Sequence, residues 1–295
     1  MAGVVLCEAT DLYNILNQSI RVSRLAEFNY ICLLDARTED EYNESHVITA
    51  RRAKWDAMGK LLIPVDVEVE SMKYIVVYDS NTSLLEGPGP ATECAKILAK
   101  SSCHPVQILN GGYERFSAFY PFLRTQKILY TLKELESLQP YPVEVLCGQL
   151  YMGSYIQATN PQIHKVLKLR ALVNVSEDIS DVFDRSTLTI LNIPVADSVE
   201  ADLSGFFERV CMFIGTHLDT GSAVMIFSSH GISRCSAMTM AFIMYHLKSS
   251  LKEAWTKVLK CKTNMRPNRG FVQQLSDWEL HILGKTVTDI AEPYY

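Results

Sequence analysis

The sequence predicts a mixed α/β protein built from two α/β units in tandem. Three observations carry that reading. The chain has 295 residues, more than one minimal domain needs and enough for two units of roughly 100–150 residues. Short continuous apolar runs bounded by polar turns have the character of strands buried in a parallel sheet. Segments with apolar residues at helical spacing separate those runs.

Taken in order, Thr10 is expected to cap a helix over residues 11–16, whose apolar positions recur at helical spacing. Strands follow at residues 30–34 and 74–78, each ending in an aspartate, Asp35 and Asp79. Ala91 to Ala99 reads as a helix, and Val106 to Leu109 as a strand running into the turn Asn110-Gly111-Gly112. Between Pro121 and Pro142 the rhythm lapses into a mixed, charged stretch, where a domain boundary is expected. The second half opens at residues 146–154 and holds strand candidates at 171–175 and 223–227. Helices are expected at 236–247, 250–262 and 270–283.

Composition narrows the function. With 48% hydrophobic and 21% charged residues the chain is globular in character, and no apolar run reaches the roughly 20 residues of a membrane span. A net charge of −5 offers no global basic field, so nucleic acid is not an expected partner. The eight cysteines, at 7, 32, 94, 103, 147, 211, 235 and 261, form no Cys-x2-Cys pair and no zinc spacing. No metal and no cofactor is expected, and reduced thiols in a cytoplasmic compartment are. Glu8 and Asp11 precede any basic residue, unlike a secretory signal or a transit peptide; association with an organelle such as the mitochondrion stays open.

One segment points to chemistry. Phe227-Ser228-Ser229-His230-Gly231-Ile232-Ser233-Arg234 joins a buried strand to a long helix, a geometry in which backbone N–H groups and a helix N-terminus face an anion. Gly231 permits a tight turn, and the Arg234 guanidinium can hold two phosphate oxygens. Taken alone, these residues are better read as a plain strand-to-helix connection.

The spacing resembles the His-Cys-x5-Arg signature loop of the cysteine-dependent dual-specificity protein phosphatases. Further segments are similar to that family in its order: Leu150 to Ser154 to its opening strand, and Ile193-Pro194-Val195-Ala196-Asp197 with Asp202, Phe206 and Phe207 to its general-acid loop and following helix. Residues 250–255, 266–271 and 274–275 resemble its C-terminal helices. The resemblance implies that residues 228–234 form a phosphate cradle. It also exposes two departures: Ser228 stands at the cysteine position and Phe227 at the preceding histidine position. In the family the cysteine attacks as a thiolate, stabilised by loop amides, helix dipole and arginine. A serine hydroxyl stays protonated there, and Phe227 supplies no base.

Losing the nucleophile of a covalent mechanism costs on the order of 10⁶ in rate, whereas a general acid contributes about 10²–10⁴. Asp197, at the general-acid position, therefore reads as vestigial or as a loop residue capping nearby backbone. Cys235, in the first turn after Arg234, reads as structural, with its thiol directed away from the loop centre. His230, where the family usually has alanine, would crowd the cradle or add a pH-dependent contact. A neutral serine also removes thiolate–phosphate repulsion of roughly 4 kcal/mol at 4 Å and an effective dielectric of 20.

In the first half, Leu33 to Arg37, Glu41-Tyr42, Ser45-His46-Val47 and Leu109 to Phe116 resemble a rhodanese-like domain, as found ahead of the catalytic domain in MAP kinase phosphatases. An active rhodanese would carry a cysteine in the loop after Asp79, which here runs Ser80-Asn81-Thr82-Ser83-Leu84-Leu85. Arg51, Arg52 and Lys54 lie roughly where a basic cluster docks kinases in those phosphatases; a solvated surface stretch is the plainer reading.

The whole chain resembles the MAP kinase phosphatase-like branch of the STYX pseudophosphatases. The resemblance implies a rhodanese-like domain over 1–124, a linker over 125–140, an inactive dual-specificity phosphatase-like domain over 141–288 and a tail over 289–295. It further implies regulation by binding signalling proteins: phosphoproteins, MAP kinases or active phosphatases.

Overall fold

The computed structural model describes residues 3–129, 131–178, 182–292 and 294–295. The chain divides into two compact units, Met1–Pro140 and Tyr141–Tyr295.

The first unit is built on five parallel strands: β1 (Val4–Cys7), β2 (Ile31–Asp35), β3 (Arg51–Arg52), β4 (Tyr74–Tyr78) and β5 (Val106–Leu109), in the order β1-β5-β4-β2-β3. Central β4 is apolar throughout because both its faces are covered, and Ile75 through Tyr78 are buried. Around the sheet run α1 (Ala9–Leu16), α2 (Glu39–Glu44), α3 (Pro90–Leu98), α4 (Gly112–Phe119) and α5 (Leu132–Glu136). Pro90 opens α3, where its missing N–H costs nothing. Thr38 and Glu41 close a capping box on α2.

Two expectations change here. The first helix begins at Ala9 with Glu8 as its N-cap, so Thr10 lies inside it and its hydroxyl meets Tyr120 Oη at 3.2 Å instead of capping. The cause is β1, a strand the sequence did not announce, which runs to Cys7 and hands the chain directly into the helix. Its partner β5 lies about a hundred residues on, from Val4 opposite Val106 to Cys7 opposite Leu109. Within 125–140, Thr131 and Glu134 form a capping box on α5. Leu132 and Leu135 of that helix line a cavity of about 410 Å³ with Leu25, Phe28 and Met72, so the segment groups with the first unit.

The second unit has the strands β6 (Val143–Leu146), β7 (Leu150–Ser154), β8 (Leu169–Asn174), β9 (Thr189–Asn192) and β10 (Ala223–Ser228), in the order β6-β7-β10-β8-β9. Only β6 is antiparallel to its neighbour. Four longer helices follow: α6 (Phe207–Asp219), α7 (Arg234–Leu247), α8 (Leu251–Cys261) and α9 (Arg269–Leu283). Helix α7 is buried from Arg234 to Met244. Such a helix is apolar nearly all round because sheet and helices enclose it. The last residues pack as well: Tyr295 is buried, with its ring edge-on to Trp255 at 5.0 Å.

Glu279 fastens this end of the unit. Its buried carboxylate accepts from Leu251 N (2.7 Å), Val287 N (2.8 Å), Thr288 N (3.0 Å) and Thr288 Oγ1 (2.7 Å). Burial opposes the charge, but these hydrogen bonds outweigh it and hold the carboxyl below its ordinary range.

Among the described residues no helix is long and apolar enough to cross a membrane, and no group of three or more His, Cys, Asp or Glu residues is placed to hold a metal ion.

Candidate functional site

Strand β10 is the middle strand of the second sheet. It ends at Ser228, level with Ser154 of β7, while Phe227 lies opposite Asn174 of β8. Loop 229–233 therefore leaves from the carboxyl ends of three parallel strands, where open α/β sheets place their ligands. Gly231 turns the loop with φ +70°, and a Cβ there would lie 2.7 Å from Gly153 C and 2.8 Å from Ser154 N. Glycine is thus required twice, by conformation and by close approach. The loop is braced from outside by Arg266 N donating to Ile232 O (3.0 Å) and by Ser236 Oγ donating to the same oxygen (2.7 Å).

The donors of the loop are idle. Among the described residues, no backbone N–H of residues 230–233 has a protein acceptor. Ser233 occupies the N-cap of α7, yet its side chain makes no capping bond and donates instead to Asp197 Oδ1 at 2.7 Å. The N-terminus of a fourteen-residue helix and a run of free amides meet at one point, the arrangement that binds anions.

Arg234 is 7% exposed and engaged. Its Nη1 donates to Val195 O (2.8 Å) and its Nη2 to Ser229 Oγ (3.1 Å), while Nε lies 3.8 Å from Asp197 Oδ2 and has no hydrogen-bond partner. Asp197 also accepts from Asn268 Nδ2 at 2.9 Å, and the same amide reaches Ser198 O at 3.2 Å. Gly270 lets α9 approach this segment, since a Cβ there would fall 2.0 Å from Val199 O. Residues 195–199 are thereby pinned against the loop. Asp197 bonds side chains rather than the backbone it was expected to cap.

Phe227 is fully buried, its ring packed on Phe183 at 5.8 Å and Tyr155 at 6.3 Å. Ser228 is buried. Cys235 is fully buried in the first turn of α7. Burial pushes the thiol up from its ordinary value, against the smaller opposing pull of Ser228 and Lys262. His230 is exposed and makes no hydrogen bond, ion pair or ring contact among the described residues. Ser229, Ile232 and Ser233 are half-buried along the loop.

The basic trio of the first unit is largely spoken for. Arg51 makes a bidentate pair with Asp66, with Nη2–Oδ2 at 2.6 Å, and Arg52 pairs with Glu39 at 3.1 Å. Lys54 is exposed and forms no ion pair among the described residues. All three line a cleft of about 500 Å³ together with Lys127, Leu62 and Ile63. The loop after β4 is wound on Asp79, whose carboxylate accepts from Asn81 N (3.2 Å), Thr82 N (2.9 Å), Thr82 Oγ1 (2.7 Å) and Ala91 N (3.3 Å).

Two contributors escaped the sequence reading. Asn268 is the N-cap of α9 through its Oδ1, while its Nδ2 secures Asp197. Lys262 is buried, and burial lowers its pKa; a single lysine after a helix carries no signal of that.

Comparison with known proteins agrees with both halves. Residues 150–281 match the sequence model of the dual specificity phosphatase catalytic domain, and residues 17–119 that of the rhodanese-like domain. Dual specificity protein phosphatase 4 of Rattus norvegicus is 28% identical over 268 residues, spanning 81% of this chain and 67% of that protein. Dual specificity protein phosphatase 5 of the same organism is 30% identical over 240 residues, 72% of this chain and 62% of that protein. The crystal structure of the human tyrosine phosphatase-like serine/threonine/tyrosine-interacting protein shares 26% identity, covering 48% of this chain and 96% of that one, with a TM-score of 0.44. The chain is a rhodanese-like domain fused to a domain of the dual specificity phosphatase catalytic fold, related to the dual specificity phosphatases at moderate identity.

Proposed function

We propose that this protein is a catalytically inactive pseudophosphatase of the STYX kind, a signalling regulator or adaptor that binds phosphoproteins, kinases or other phosphatases. The observation that carries the proposal is Ser228, six residues before Arg234 at the end of β10, with the buried Phe227 ring as its neighbour in place of a base. A hydroxyl becomes a nucleophile at neutral pH when a base takes its proton. Here the residue before Ser228 is a buried phenylalanine, whose ring can take no proton. Loss of the nucleophile alone removes on the order of 10⁶ in rate, and Asp197 on the general-acid side cannot restore it. The idle amides of residues 230–233 support retained recognition of phosphate. A cytoplasmic setting belongs to the same proposal and rests on eight free cysteines.

The test has two arms. Purified native protein is expected to leave an aryl phosphate unhydrolysed above background, and the pair Phe227→His with Ser228→Cys to create turnover. Hydrolysis by native material that disappears in Ser228→Ala overturns the proposal.

A second reading, a protein scaffold with a blocked pocket, is favoured by one observation. Arg234 already spends Nη1 and Nη2 on Val195 O and Ser229 Oγ. That reading expects partner capture indifferent to Arg234→Ala, whereas phosphate-dependent recognition expects capture to fall.

A further inference from the structure

The second unit carries a cleft of about 970 Å³ between α8, the turn into α9 and the last residues of the chain. Its lining has a one-sided chemistry. Lys252, Arg266 and Arg269 supply three cations, Trp255, Tyr294 and Tyr295 supply an aromatic wall, and among the described residues no aspartate or glutamate side chain lines it. Trp255 and Tyr295 meet edge-on at 5.0 Å, and Tyr294 leans on Tyr295 at 4.7 Å, which fixes the wall. The cations are available. Neither the Lys252 ammonium nor the Arg266 guanidinium has an ion-pair or hydrogen-bond partner among the described residues, and both side chains belong to exposed residues. Arg269 gives Nη1 to Ile290 O at 3.1 Å. The carboxylates that act on the Tyr295 hydroxyl, Glu292, Glu279 and Asp289, stand outside the lining. Glu279 is already committed to Leu251, Val287 and Thr288.

Cations around a rigid aromatic wall suit a ligand that brings negative charge beside an apolar group. An arginine fork binds carboxylates in two-point geometry, and tryptophan, tyrosine and arginine are the residues on which binding energy concentrates at protein interfaces. A cleft lined in this way can take an extended peptide segment. We propose that this cleft docks an acidic peptide segment of a partner protein, its carboxylates on Lys252, Arg266 and Arg269 and a large apolar side chain against Trp255 and Tyr295. Charge complementarity selects this occupant, and the docking does not depend on the loop at residues 228–234.

The experiment is fluorescence polarisation of the full chain with a panel of labelled short peptides rich in glutamate, with leucine or phenylalanine interspersed in different orders. Matched peptides carrying lysine for glutamate serve as the counter-panel. Saturable binding of members of the glutamate panel is expected, weakening with added salt. Lys252→Glu with Arg266→Glu is expected to lower affinity about tenfold or more. Both residues are exposed, and an unchanged melting curve verifies that the fold is kept. Arg234→Ala is expected to leave this affinity unchanged, which separates the proposal from recognition at the loop. Equal binding of both panels, no binding of the glutamate panel, or indifference to the double charge reversal overturns it. So does displacement of the peptide by single-stranded polyuridylate at lower concentration, which would assign the cleft to nucleic acid.

Discussion

Replacing Asp197 with asparagine is expected to strengthen anion binding at loop 228–234. The carboxylate holds Oδ2 at 3.8 Å from Arg234 Nε and accepts from Ser233 and Asn268 through Oδ1. Asparagine keeps an oxygen for those two donors and removes only the charge. Two unit charges about 4 Å apart interact by about 1 kcal/mol in water and about 4 kcal/mol at an effective dielectric of 20. The Asp197 side chain is 39% exposed while that of Arg234 is 9% exposed, so a value of about 1–2 kcal/mol is appropriate. An incoming dianion also loses the repulsion of the same carboxylate, which acts in the same direction. The Asp197→Asn protein should therefore bind tungstate or phosphate about 5–30-fold more tightly. The measurement is an NMR titration following the amides of residues 229–234, repeated at raised ionic strength, where the gain should shrink. Affinity that stays level or falls would refute the idea that Asp197 competes with ligand for Arg234.

Three further outcomes follow from the geometry. Gly231→Ala puts a side chain at φ +70° and 2.7 Å from the Gly153 backbone; it should cost about 2 kcal/mol or more and lower the melting temperature by about 4–8 °C. Gly284→Ala, at the same φ with nothing within 4 Å, should cost clearly less, and equal effects would remove the close-approach argument. Glu279→Gln leaves two of four buried donors without a good acceptor and should cost roughly 2–4 kcal/mol at neutral pH. The folded carboxyl sits below its unfolded value, so its contribution is present above the ordinary carboxylate range and fades as pH falls through the folded pKa. Denaturant midpoints of native and Glu279→Gln proteins should accordingly converge in acid, and a constant gap would contradict the assignment.

The readable parts of the chain were those whose determinants are local. Continuous apolar runs marked β2, β4 and β10, and apolar residues at helical spacing marked α8 and α9. Strand β1 was not readable, since four residues with two exposed apolar side chains become a strand only by pairing with β5. In the loop, Gly231 and Arg234 announced an anion site by type and spacing. What the arginine does there depends on Val195 O, thirty-nine positions away, and Asp197 depends on Asn268, seventy-one positions away. Asp66 neutralises Arg51 across fifteen positions. Contacts of that kind are products of the fold, and residue types carry no record of them.

The Asp79 loop of the first unit has a consequence for engineering. Sulfur transfer requires a cysteine whose persulfide is cradled by main-chain amides, and here the amides of Asn81, Thr82 and Ala91 already converge on an internal carboxylate. Installing a thiol at Ser80 would add a reactive atom to a loop in which these three amides are already committed. Removing Asp79 as well would free them, at the expense of the bonds that give the segment its shape.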